Sequence, residues 1–301
     1  MALKQIKNKI VTTQKTGKVT KAMEAVSAVK MRKSQERALA GKSYAEAAVR
    51  VLERLSQSQG GEHLFEAGEG EGLQCIVVVT SDKGLAGSLN SSVLKEVSMR
   101  LADVVKDQVR IIAFGRKAYE HFTRLGYTID QHYTNVSDEV SLADMEEVTT
   151  FVAEQFKNGT YKDVSVAYQS FISTFEQEAV LRQMLPLQSD ELEKMVKDIV
   201  PKKGLHSEEV ATNQKDHVYT VEPSVEEVVK VLVMQLVQIM LYHSLLESKA
   251  SEHSARMVAM KNATDKAKEI TKALTIKFNK ARQAEITAEV SEITGGIEAM
   301  K

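Results

Sequence analysis

Between Ser224 and Thr294 the chain contains neither glycine nor proline. Nothing in that stretch breaks a helix, and at 1.5 Å per residue a single helix there would run ~105 Å, several times the diameter of a small domain. Such a rod cannot hide in its own globule and needs a partner along its length. Its start is marked at Pro223-Ser224, with Ser224 as N-cap and Glu227 three residues on completing a capping box. Gly295-Gly296 reads as the stop signal.

Within this segment Leu246, Ala250, His253, Met257, Met260, Thr264, Ala267, Thr271, Leu274, Phe278 and Ala281 step by alternating fours and threes, the seam of a coiled coil. Many of these residues are small or polar, which suits close packing against a different helix better than homodimerisation. A second long helix is available at the other end of the chain. From Ala2 to Gln57 there is no proline, and Leu3, Ile6, Ile10, Val19, Met23, Val26, Ala45, Ala48, Leu52 and Leu55 recur at seam spacing. Gly17 and Gly41 interrupt it at a cost of ~1 kcal/mol each, and Gly17 is a candidate for close helix approach. Loop-closure cost rises only logarithmically with the intervening length, so the two helices are expected to pair with each other, antiparallel.

The middle of the chain is different in kind. Residues 58–72 hold five glycines among acids and read as a flexible linker. Short apolar runs then follow at Ile76–Thr80, Val109–Phe114, Val164–Tyr168 and Ala179–Leu187. Helical periodicity falls at Asn90–Val105, Arg116–Leu125 and Leu142–Phe156, so 73–213 reads β-α-β-α-β-α-β-β. The expected architecture is mixed α and α/β: a coiled coil of helices 1–57 and 224–294, with an inserted Rossmann-like domain whose sheet is mostly parallel. The absence of Trp, 5% aromatic content and only three prolines fit long helices better than a β-sandwich.

Groups able to catalyse are sparse. The seven histidines show no H-x-x-x-H or H-E-x-x-H spacing, and Cys75 is the single cysteine, so no metal site, cofactor or intrachain disulfide is expected. Cys75 reads as a buried free thiol in a reducing compartment. No signal peptide is read at the N-terminus, and no run of ~18 apolar residues, so membrane association is expected to be indirect. The loop from Thr80 to Asn90 resembles a phosphate cradle in its place between strand and helix. It lacks both the Walker and the G-x-G-x-x-G spacings, and a tight turn using Gly84 and Gly87 is the simpler reading.

Charge is unevenly distributed although the net is −1. Up to Lys33 there are nine basic residues against the single acid Glu24, which predicts an acidic partner. A basic nucleic-acid-binding coiled coil is one rival. It lacks a duplex-reading module and the interleaved aromatics of single-strand binders. The other rival is a nucleotide- or phosphate-binding enzyme with dimerisation helices.

Four segments in order, Val19 to Lys33, Ser81 to Asn90, Glu252 to Asp265 and Asn279 to Ala284, resemble the signatures of the F-type ATP synthase gamma subunit, bacterial type. Within the loop, Ala86 stands where that family usually has Cys, and Ser88 where Gly is common. The resemblance implies a rotating central stalk that is not itself catalytic, inside a ring of three alpha and three beta subunits, joined by the α/β domain to epsilon and to the membrane c-ring. Membrane contact would be indirect, at the cytoplasmic face of the bacterial plasma membrane, with no nucleic acid involved. Carried over by position, Lys21, Met23, Lys30, Arg32 and Lys33 would face the acidic helical tip of the beta subunits. Arg282 and Gln283 would meet a loop of the empty-state beta subunit, where a guanidinium fork can bind carboxylates.

Overall fold

The computed structural model describes residues 3–40, 47, 72–187 and 224–299. The expectations for the linker, for most of 41–57 and for 188–213 fall outside the described residues. Ten principal elements follow in order: α1 (Leu3–Ala40), β1 (Leu73–Val79), α2 (Leu89–Arg100), β2 (Val109–Phe114), α3 (Arg116–Leu125), β3 (Thr128–Tyr133), α4 (Glu146–Lys157), β4 (Tyr161–Ser173), β5 (Glu176–Leu185) and α5 (Val225–Ala299). They fall into two compact units, one of Met1–Ser27 with Arg256–Lys301, the other of Ala28–Ala255.

In the larger unit a five-stranded sheet has the order β3-β2-β1-β4-β5. The pairs β1·β2, β1·β4 and β2·β3 are parallel, and β5 returns antiparallel to β4. The run Cys75 to Val79 is buried throughout because both faces of the sheet are covered, as a central parallel strand requires. Its side chains alternate: Cys75, Val77 and Val79 enter one core with α4 and the first part of α5, while Ile76 and Val78 enter the other with α2 and α3. Burial pushes the Cys75 thiol above its ordinary range, so it stays protonated and inert.

The strand that the sequence pattern left without residue bounds is β3. Its TIDQHY alternates exposed and half-buried positions at the sheet edge, so no apolar run announces it. Stacking of Tyr133 on Phe114, with centroids 4.8 Å apart, holds its end to β2. Strand β4 is also longer than its apolar centre, because its polar flanks are extended by the hairpin with β5.

Helix α5 departs from expectation in two ways. It contains an 18-residue window whose mean hydropathy is high enough for a membrane span, although polar residues interrupt it. The apolar side chains there, among them Leu236, Val237, Met240, Leu241 and Leu245, form the core against the sheet. From Leu236 to Glu252 nearly every side of the helix is buried, the condition under which a helix is apolar all round. The helix also runs through Gly295 and Gly296 to Ala299. A glycine weakens a helix by ~1 kcal/mol but ends it only where the chain turns left-handed, so the pair is no obligatory stop. At the start, the Glu227 N–H donates to Ser224 Oγ at 3.3 Å, one half of the capping box.

In the smaller unit the two terminal helices pair. Thr20 Oγ1 and Thr264 Oγ1 share a hydrogen bond of 2.7 Å, and a Cβ built on Gly17 would sit 3.3 Å from Ala267 Cβ. Rising numbers on one helix meet falling numbers on the other, so the pair is antiparallel. Every seam position read on α5 from Leu246 to Ala281 is buried or half-buried. The α1 seam needs correction. Val19 and Val26 are 58% and 55% exposed, while Thr20 and Ser27 are buried. The helices approach so closely at Gly17 that small and hydroxyl residues fill the seam and the valines turn outward.

Two outcomes are expected. Gly17→Leu should lower the stability of the helix pair, because the contact with Ala267 leaves no room for the added atoms; hydrogen exchange of amides 10–24 would show the loss. His243 is buried, and desolvation lowers its pKa to about 4 from 6.5, so the native state excludes a proton that the unfolded chain accepts. Stability from this group is therefore complete above 6.5 and is lost as pH falls towards 4. Thermal melts of His243→Gln between those pH values should show a shallower slope than the parent.

Candidate functional site

Two places on the chain could carry chemistry or contact. The first is the end of β1, where the Thr80-to-Asn90 loop leads into α2. Thr80 Oγ1 accepts from the Ala118 N–H at 2.9 Å, and the Thr80 N–H donates to Phe114 O at 2.8 Å. Asn90 closes the loop: its Oδ1 accepts from the Ser81 N–H at 2.9 Å and its Nδ2 donates to Ser81 Oγ at 2.8 Å. Gly87 has φ +60, as the turn reading anticipated, but the non-glycine at positive φ in this loop is Leu85, at +66. Around Gly84 the space is open.

Beside the loop, the N-terminus of α3 is already engaged. Asp82 Oδ1 accepts from the Arg116 N–H at the start of α3, and Oδ2 from the Asn135 N–H, both at 2.9 Å. A carboxylate thus sits at the α3 N-terminus, where a phosphate would meet like charge. Gly115 is required beside it, since its φ is +87 and a Cβ would lie 2.1 Å from Thr80 O.

The crevice that an open parallel sheet offers to ligands lies beyond the carboxyl ends of its strands, where the order reverses. Here α5 fills that position. Leu245, Ser248, Lys249 and Glu252 close over Val79, Thr80 and Phe114, leaving a cavity of about 10 Å³, room for one water at most. Ser251 Oγ donates to Gln169 O at 3.1 Å, and Ser254 Oγ to Thr174 O at 2.6 Å, binding the helix to β4 and its hairpin turn. At this position the described residues leave no cleft of nucleotide size. Among the described residues no group of His, Cys, Asp and Glu could hold a metal ion.

The second place is the charged surface of the long helices. Lys21, Arg32, Lys33, Arg282 and Gln283 are exposed and Met23 is half-buried. The residues do not gather into one site. In the antiparallel register of Gly17 with Ala267 and Thr20 with Thr264, Arg282 and Gln283 lie roughly 28 Å along the helix pair from Lys21. Lys30 is exposed but engaged: its Nζ donates to Asp138 Oδ2 at 2.7 Å.

Asp138 is the residue that sequence reading did not find. It lies between β3 and α4, and its Oδ1 meets His253 Nε2 at 3.0 Å and Lys249 Nζ at 3.6 Å. The hydrogen bond with His253, then that with Lys30, hold its carboxyl well below the usual carboxylate range, against the opposing effect of burial. Arg37 Nη1 donates to the Asp138 carbonyl at 2.6 Å and Nη2 pairs with Glu139 at 3.2 Å. Partners more than a hundred residues distant in sequence leave no spacing signal, so only the fold could reveal them.

Comparison with known proteins agrees with this architecture. The central-stalk and c-ring structure of the Tetrahymena thermophila mitochondrial ATP synthase contains a chain of 24% identity, matched over 81% of this chain and 99% of that one with a TM-score of 0.61. The rotor of the Euglena gracilis mitochondrial ATP synthase in rotational state 1 gives 18% identity, 94% and 98% coverage, and a TM-score of 0.61. The OSCP/F1/c-ring structure of the same organism in rotational state 3 gives 19% identity, 99% and 94% coverage, and a TM-score of 0.64. These likenesses are of fold. A family model described as ATP synthase matches residues 2–300, nearly the whole sequence, and the chain therefore belongs to the ATP synthase family, on its gamma-subunit branch.

Proposed function

We propose that this chain is the rotating central stalk of a proton-translocating ATP synthase, turning with a membrane c-ring and imposing successive conformations on three alpha and three beta subunits. Catalysis belongs to the other subunits; this one transmits. The chain similar to it in the Tetrahymena structure comes from a central stalk and c-ring assembly, which supports the assignment. On this reading the α/β unit also meets epsilon, and the complex sits at the cytoplasmic face of a bacterial plasma membrane.

The observation that carries the reading is the outward face of α1. Val19, Val26 and Val29 are more than half exposed and are interleaved with the exposed Lys21, Arg32 and Lys33. A helix that already has one buried seam and still presents a second apolar stripe edged with bases is built to touch something acidic and partly apolar. The acidic helical tip of the beta subunit has that chemistry. On this reading Lys21, Met23, Lys30, Arg32 and Lys33 contact the beta-subunit tip, and Arg282 and Gln283 engage a beta-subunit loop.

Coupling then follows from differential contact. An axle without threefold symmetry touches three beta subunits unequally, so each angle favours a different nucleotide-site state. Moving a site through four powers of ten in affinity takes ~5.5 kcal/mol. One exposed ion pair supplies no more than ~1 kcal/mol, so many contacts share the task. Charge reversal at Arg32 and Lys33 together should leave the assembled complex intact while lowering ATP-driven proton pumping several-fold. Equal pumping by the parent and the double variant, measured in inverted membrane vesicles, would remove the electrostatic role of this face.

A further inference from the structure

The segment between β3 and α4 behaves as a bracket. Asn135 is tied to Asp82, the Val136 carbonyl accepts from Lys249 Nζ at 2.8 Å, Val140 is buried, and the Leu142 carbonyl accepts from Gln238 Nε2 at 2.9 Å. It is thus fixed both to the sheet and along α5. On this anchored bracket stands Asp138, whose two carboxylate oxygens reach different helices: Oδ2 goes to Lys30 of α1, and Oδ1 to His253 of α5 with Lys249 beside it. Arg37, seven residues after Lys30 and hence on the same face of α1, holds the Asp138 carbonyl and Glu139.

Between Ala28 and Ala40 the fully buried side chains of α1 are Met31, Ser34 and Ala38. Three such side chains, two of them small, give little resistance to sliding along the helix axis, because apolar contact is non-directional. Charge-assisted hydrogen bonds are directional and fix register. We propose that Asp138 is the pin of a clamp that locks α1 in register to the sheet and to α5, so that torque entering the α/β unit reaches α1 without slippage. Lys30 and Arg37 are its two grips on α1. The proposal rests on the central-stalk reading for its purpose but not for its geometry.

Hydrogen exchange on the full-length chain tests the geometry, and the assembled complex tests the purpose. Asp138→Asn and Arg37→Met should each accelerate exchange of α1 amides 30–38 at least tenfold, with β1 and β2 protected as in the parent. Lys30→Met added to Asp138→Asn should cause no further acceleration, since both remove the same link. In the complex, Asp138→Asn should reduce protons pumped per ATP hydrolysed at least threefold while alpha and beta still co-purify. Unchanged α1 exchange, equal loosening of β1 and β2, a full additional increment from Lys30→Met, or a parental pumping ratio would each overturn the clamp. If the parent chain does not co-purify with alpha and beta, the stalk reading falls, while the exchange data still decide the clamp.

Discussion

The continuity of α5 is the constraint on which the rest depends. One helix of 75 residues supplies core side chains beneath a parallel sheet in its first third and a coiled-coil seam further on. A helix can do both only if its apolar pattern changes along its length. From Leu236 to Glu252 it is buried on nearly all sides, from Met260 to Ala281 it is buried on one stripe, and from Arg282 to Ile297 it is exposed. Hydrophobic burial therefore sets the role of each part.

The same helix fills the place where a sheet of this topology usually takes a ligand. A doubly wound sheet places its ligand site beyond the strand ends, and α5 lies there, hydrogen-bonded through Ser251 to β4. Asp82 occupies the α3 N-terminus in the manner of an anion. The loop that looked like a cradle is a clasp, and Gly115 is needed because Thr80 leaves no room for a Cβ.

Small residues have a comparable significance in the helix pair. Gly17, Thr20 and Ser27 on α1, with Thr264 and Ala267 on α5, allow close approach, and the buried Thr20 and Thr264 hydroxyls reach each other as well as the Gly17 and Met260 carbonyls of their own helices. Close approach turns Val19 and Val26 outward, so the property that makes the seam thin also leaves an apolar stripe exposed.

Much of this was legible in advance. The glycine- and proline-free stretch, the α5 seam, the buried strands β1 and β2 and the basic N-terminal helix are local patterns, and local patterns survive in one dimension because helix and strand periods are local properties. What only the tertiary structure decided was relational. A valine stripe and a hydroxyl stripe one residue apart on α1 are both heptad-spaced, and the approach distance at Gly17 selects between them. The edge strand β3 is held by pairing with β2, and Asp138 gains its partners only when segments more than a hundred residues apart are brought within 4 Å. Contacts of that kind depend on three-dimensional proximity, and the order of residues along the chain carries no record of it.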